Sequence, residues 1–388
     1  MLVERMGAFT STIFAEITQL AVRTGAINLG QGFPDTDGPP SLLADAAAAI
    51  AAGANQYPPG PGTPELRSAV AEHQRRFYGL EVDPDDVLVT VGATEAIASA
   101  VLALCEPGDE VVTFEPYYDS YAAVIALAGA ARRTVPLRAP AFGFDDDELR
   151  AAFSARTRMV LLNSPHNPTG AVFSRPQLAR IGELAAEHGA VVVADEVYEH
   201  MVFDGKAHLP MATLPGMAER TLTVSSAGKT FSVTGWKIGW VHGPAQLVAA
   251  VRAVKQFLTF TAGAPFQPAV AGALALPNAF YAGLTASLQA KRDLLVEGLR
   301  AAGFTVFRPS GTYFIVADGA PLGFDDGAKL ARALPELCGV AAVPVSVFAD
   351  SPAGLEATRS LVRFAFCKRD AVLAAAAERL AGLRLRAG

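Results

Sequence analysis

A lysine stands just beyond a short apolar run. "TLTV" (Thr221 to Val224) reads as a buried strand, and "SSAGK" follows it, presenting Lys229 past the strand end. Such a lysine is either a solvated residue or an amine brought into a site, and the small residues before it let the backbone pass close to a ligand. Other runs end in the same way. "VLVTV" gives way to Gly92-Ala93-Thr94 and a helical segment, whose free N–H groups suit a phosphate. "AVVVAD" ends in Asp195 with Tyr198 three residues on, and "RMVLLN" continues into "SPHNPTG", which holds Asn167. "EVVTF" leads into Glu115, Pro116, Tyr117 and Tyr118. Singly, each has a plain reading as a helix cap, a turn or a core ring. Together they place an amine, an acid, an amide, aromatic rings and a phosphate cradle at strand ends. Those are the groups pyridoxal phosphate requires.

The elements that must position these residues alternate. Short β-rich runs are separated by Ala-rich amphipathic segments such as "QLARIGELAAEHGA", which predicts an α/β fold with a mainly parallel sheet covered on both faces. Ligands of such sheets bind outside the carboxyl ends of the strands. The alternation assigns a large domain to residues 41–280. A long helix and the strands "TVFRP", "TYFIVA", "VAAVPV" and "LVRFAF" then predict a smaller α+β domain, made of 281–388 with the N-terminal segment 1–40. The chain has 388 residues, 18% of them charged, and a net charge of −6, so nucleic acid is not an expected partner. Cys105, Cys338 and Cys367 are too few and too scattered for a disulfide framework or a zinc site; no metal is expected, and a reducing cytoplasm fits. No signal-peptide core or membrane span is expected either.

"NSPHNPTG", "ADEVYEH" and "SSAGKTFSVTGWKIGW" resemble, in order and in combination, the signature blocks of fold-type I, class I aminotransferases. The likeness runs from "INLGQGFPD" to "LVRFAFCKRD" and is nearest to the kynurenine/glutamine/methionine branch. Through "NQYPPGPGTPELR", "VGATEAI" and "AERTLTVSSAGK" the chain is most similar to N-succinyldiaminopimelate aminotransferases. The resemblance implies a pyridoxal 5′-phosphate enzyme with a large domain built on a seven-stranded sheet. It implies that Lys229 is covalent anchor and general base, and that Ala93, Thr94, Ser226 and Lys237 hold the phosphate. Asp195 would pair with the pyridine nitrogen, Tyr198 and Asn167 would contact the phenolic oxygen, and Tyr118 would stack on the ring. Arg363 would clamp the substrate α-carboxylate near Gly32. Tyr57 would reach the phosphate of the other subunit in a homodimer. Lys stands at 237 where the family often has Arg, which keeps the charge and loses the bidentate fork. His166 is read as structural.

The implied reaction moves an amino group from an amino acid to a 2-oxo acid, with 2-oxoglutarate the expected acceptor. Side-chain specificity would come from the N-terminal segment and from a partner-chain loop around "TFTAGAPFQ", where Thr261, Ala262, Gly263 and Ala264 are small. That room favours N-succinyl-LL-2,6-diaminopimelate, with methionine, glutamine or kynurenine as the alternative and cysteine-conjugate β-elimination as a different chemistry. Lys255 and Arg23 are the cations nearest these segments. A ligand-sensing regulator would need an added DNA-binding segment, and the fold uses nearly all of the chain. Glu115-Pro116 and Asn167-Pro168 are expected to be cis, because both chains must turn sharply off strand ends.

Overall fold

A computed structural model of the chain describes residues 3–9 and 13–383. The predicted strands assemble into a seven-stranded sheet. Its order is Val87–Val91, Ile238–His242, Thr221–Ser226, Val191–Asp195, Thr157–Asn163, Glu110–Glu115 and Ala131–Pro136. Ile238–His242 runs antiparallel to both of its neighbours, and the other adjacent pairs are parallel. Two of the seven strands are absent from the sequence reading. Ala131–Pro136 is an edge strand whose first four residues, Ala131 to Thr134, are exposed or half-buried, so it lacks the apolar run that marks the others. Ile238–His242 is hidden inside "GWKIGWVH", where glycine and tryptophan obscure the pattern.

Buried apolar side chains cover both faces of this sheet. Val111, Leu161, Val193 and Val224 pack with the helices Gly92–Leu104 and Asp119–Ala128 on one side. Val112, Val160, Val192 and Ala194 pack with Arg175–Glu187 on the other. Arg175–Glu187 begins with a full capping box between Ser174 and Gln177, which explains its sharp start.

A second, four-stranded antiparallel sheet holds Val343–Pro344, Leu361–Ala365, Phe314–Asp318 and Thr305–Phe307 in that order. "VAAVPV", expected as one strand, divides in two. Val343–Pro344 joins the four-stranded sheet, whereas Val340–Ala341 pairs in parallel with Ile27–Asn28. Ile27–Asn28 thus joins the N-terminal segment to the C-terminal strands. The helix Asn278–Ala302 links the two cores: Tyr281 packs with the large-sheet side, and Leu288, Leu295 and Leu299 with the smaller sheet. Both expected cis bonds, Glu115-Pro116 and Asn167-Pro168, are present, and Ala139-Pro140 and Ser164-Pro165 are cis as well. Among the described residues no single helix is long and apolar enough to cross a membrane. The pair Phe266–Leu274 and Asn278–Ala302 reaches that length together but is bent by 90°.

Candidate active site

The parallel strands end at one edge of the large sheet, and the residues after them line a single cleft. Ala93, Thr94, Tyr118, Asn167, Asp195, Tyr198, Ser226, Lys229 and Lys237 all border it. Three sets of contacts divide the cleft chemically.

At one end the helix Gly92–Leu104 starts without a side-chain cap. Its free N–H groups carry the positive end of the helix dipole. Lys237 adopts a left-handed conformation, φ 55°, which non-glycine residues rarely do. A Cβ added to Gly92 would lie 3.1 Å from the Lys237 Nζ, so the ammonium sits against the helix start. A cation at a helix N-terminus is electrostatically unfavourable on its own. With an anion between them, both attract it. The close approach also fixes Gly239, whose Cβ would lie 2.5 Å from the Gly92 carbonyl carbon.

Asp195 lies deeper. It is 5% exposed and accepts hydrogen bonds from Tyr121 Oη at 2.5 Å and the Val197 N–H at 3.3 Å. Burial pushes its carboxyl up to about 6, while Tyr121, Val197 and the charge on Lys229 pull it down. Lys229 donates to Tyr313 Oη at 3.2 Å, and Tyr313 donates in turn to the Gly32 carbonyl at 2.7 Å. Burial holds the Lys229 ammonium below the ordinary lysine value; Cys367 and Asp195 oppose this, and Lys237 and Arg363 add to it. An amine that titrates low is available as a nucleophile and base.

Arg363 does not line the cleft itself and reaches it through Asn167, as the third set of contacts. It is 2% exposed, on the strand Leu361–Ala365. Its Nη1 donates to Asn167 Oδ1 at 2.9 Å and its Nη2 to the Gly30 carbonyl at 3.0 Å. The buried Nε has no partner. The rings of Phe314, Phe348 and Phe14 surround the guanidinium, with centroids at 4.0, 5.0 and 5.6 Å. No carboxylate forms an ion pair with it among the described residues, and burial pushes its pKa down to about 10. A desolvated guanidinium without a counter-ion is a receptor for one. Gly32 closes beside it, since a Cβ there would overlap the Phe314 ring.

Tyr57 does not join the cleft within this chain. It is 81% exposed and stands edge-on to Phe260 at 5.4 Å. His166 is buried, hydrogen-bonded to Thr169 at 2.8 Å, and does not line the cleft. Lys255 is not a cation free for a ligand: it is 1% exposed and donates to the Gly60 and Phe260 carbonyls. Arg23 is exposed on the helix Ile13–Thr24. The sequence reading missed Tyr121, Tyr313 and Phe314. Tyr121 is one helical turn after Tyr118, a spacing that "EPYYDSY" displays. Tyr313 and Phe314 sit in a run read only as a strand.

Asp195 gives a prediction for the cofactor-free chain. Its folded value of about 6 lies above its ordinary 3.8, so the fold binds this proton more tightly than the unfolded chain does. The resulting stability is fully present below about pH 4 and is lost as pH rises through about 6, a change on the order of 2–3 kcal/mol. Asp195→Asn removes this loss. In urea titrations from pH 4 to 7, the stability of the variant relative to wild type is expected to increase with pH. Parallel curves would show that Asp195 is not held protonated.

A family profile described as Aminotransferase class I and II matches residues 24–380. A probable N-succinyldiaminopimelate aminotransferase DapC of Mycobacterium tuberculosis is 56% identical over 394 residues, covering 100% of this chain and 99% of that protein. The solved structure of the N-succinyldiaminopimelate aminotransferase from that organism superposes with a TM-score of 0.96 at 56% identity, covering 99% of this chain and 100% of that one. A methionine aminotransferase of Escherichia coli is 42% identical over 371 residues, 95% of each chain. With a fold of type I and this cleft at its sheet edge, the protein is an aminotransferase, a transferase of amino groups. It belongs to the class I and II aminotransferase family.

Proposed function

We propose that the chain uses pyridoxal 5′-phosphate to transfer an amino group from N-succinyl-LL-2,6-diaminopimelate to 2-oxoglutarate, as a homodimer. The observation that carries transamination is Arg363, a buried guanidinium without a counter-ion, joined through Asn167 to the cleft that holds Lys229. An amino acid brings the missing carboxylate and sets its amine and Cα toward Lys229.

The residues fit the cofactor. The uncapped helix start with Lys237 calls for an anion, and the Ala93 N–H with the Thr94 and Ser226 hydroxyls would complete a phosphate site. Asp195, desolvated and held by Tyr121, would keep a pyridine nitrogen protonated and in return be kept ionised. Tyr118 would stack on the ring, while Tyr198 and the Asn167 amide would donate to its phenolic oxygen. When bound, the cofactor supplies an electrophilic carbon for the amine and a ring that takes up electrons. Lys229 would anchor it covalently, and its Nζ, when free, would act as the base that takes the proton from the substrate Cα. Tyr313 holds that Nζ in place. Arg363, with the Gly32 backbone beside it, fixes the α-carboxylate.

The dimer is supported by an exposed apolar group around Tyr57, in which Phe257 is 85% and Phe260 47% exposed. Tyr57 would complete the phosphate site of the partner. Mixing Tyr57→Phe chains with Lys229→Ala chains is expected to restore activity above the Tyr57→Phe parent, since one site of each hybrid carries both native residues. No gain after verified exchange would place Tyr57 in its own site.

The succinylated substrate is supported by the relative that is 56% identical along the whole chain. A second reading, a methionine, glutamine or kynurenine aminotransferase, is favoured by the burial of Lys255, which is engaged by backbone carbonyls. A kcat/KM panel with 2-oxoglutarate separates them. At least tenfold preference for succinyl-diaminopimelate is expected, equal to about 1.4 kcal/mol of transition-state binding; the same preference for any of the other three overturns the substrate. Pyruvate and ammonia from a cysteine conjugate would reveal elimination.

A further inference from the structure

Behind Tyr198 lies a cluster that the reaction does not use. Glu199 and His200, the last residues of "ADEVYEH", meet His73 from the helix Pro64–Tyr78. The Nε2 atoms of His73 and His200 face each other at 2.7 Å. Ligand-capable atoms of His73, His200 and Glu199 all lie within 4.8 Å of one another. His73 is 2% and Glu199 5% exposed; His200 is half-buried and gives the cluster its access to solvent.

The hydrogen-bond inventory is incomplete. Glu199 Oε1 accepts from Ser225 Oγ at 2.6 Å, and the Tyr78 hydroxyl is the other donor that faces the carboxylate. The short contact between the imidazoles takes one N–H and one lone pair, and the buried Nδ1 of His73 has no partner. Phe77 and Tyr281 pack on His200 with centroids at 4.7 and 4.4 Å and limit its rotation.

We propose that His73, His200 and Glu199 form a binding site for a divalent transition metal, with Zn²⁺ the ion that best suits the donors. Two imidazole nitrogens and one carboxylate oxygen are a familiar zinc set, with water as fourth ligand. Tetrahedral coordination at about 2.0–2.1 Å per bond requires the two Nε2 atoms to separate to roughly 3.3 Å. The ion would tie the helix Pro64–Tyr78 to the segment that carries Tyr198. Through Ser225 it would also brace the strand end that leads to Lys229. No cysteine takes part, and His73 is far in sequence from the adjacent Glu199 and His200, so the cysteine-based expectation of no metal could not register this site.

The test uses tag-free, cofactor-loaded protein, stripped with a chelator, incubated with Zn²⁺ or Co²⁺ and desalted. About one ion per chain by elemental analysis is expected, with visible absorption from tetrahedral Co²⁺ at wavelengths beyond those of the cofactor. Zn²⁺ is expected to raise Tm by about 5 °C. His73→Phe, His200→Phe and Glu199→Gln are each expected to lose the ion and the Tm rise while retaining bound cofactor. Less than about 0.1 ion per chain in wild type, or wild-type stoichiometry in all three variants, overturns the site. If the variants do not fold, the wild-type Co²⁺ spectrum decides: octahedral, weakly absorbing Co²⁺ overturns it.

Discussion

Replacing Lys229 with alanine is expected to abolish transamination, lowering turnover by more than about 10⁴-fold, in a chain that still folds. The loss is large because the proposed mechanism makes one residue both covalent anchor and proton carrier, and no other amine lies in its position. Folding survives because the Lys229 Nζ has a single hydrogen bond, to Tyr313, and is destabilised by burial and by Lys237 and Arg363. A coupled assay for glutamate, a far-ultraviolet circular dichroism spectrum and the long-wavelength absorption of lysine-held cofactor measure the three consequences. A variant that keeps near-native turnover would remove the basis of the proposed mechanism.

Arg363→Leu is expected to separate function from stability. Losing the proposed α-carboxylate clamp is expected to cost about 3–4 kcal/mol of transition-state binding, a fall in kcat/KM of roughly 10²–10³-fold for every amino acid donor. The same change removes a buried charge that has no counter-ion in the described structure, which relieves a desolvation cost of several kcal/mol. Against this, Asn167 Oδ1 and the Gly30 carbonyl lose their donor, at about 1–3 kcal/mol each. The substrate-free variant is therefore expected to melt within a few degrees of wild type. Arg363→Lys keeps the charge without the fork and is expected to fall between the two. If Arg363→Leu unfolds while amino acid KM values of surviving protein stay native, the arginine is a structural residue.

Much of the site was legible because its residues follow a local rule. Apolar runs that end in Asp195, Asn163 or Ser225 and Ser226 identify strand ends, and a parallel sheet gathers such ends along one edge. The small residues before Lys229 and after Val91 mark where backbone must come close to a ligand. These signals span a few residues, and the five runs read from the sequence all appear as strands. The helix positions were equally local, as the capping box at Ser174 illustrates.

Other features depend on which distant segments meet. The direction of Ile238–His242 is set by its pairing with Thr221–Ser226 and Val87–Val91, and no periodicity within "IGWVH" encodes it. "VAAVPV" splits because Ile27–Asn28 captures its first half and Leu361–Ala365 its second. Lys255 lies near the candidate pocket loop in sequence, but the Gly60 carbonyl, far off in sequence, accepts from its buried ammonium. Tyr121 and Tyr313 acquire their roles only when they reach Asp195 and Lys229. The sequence by itself determined the chemistry available at each strand end, because side-chain type and strand termination are local. Tertiary structure decided which of those groups are desolvated and which partners they meet, because burial and hydrogen bonding are properties of pairs that the chain brings together only on folding.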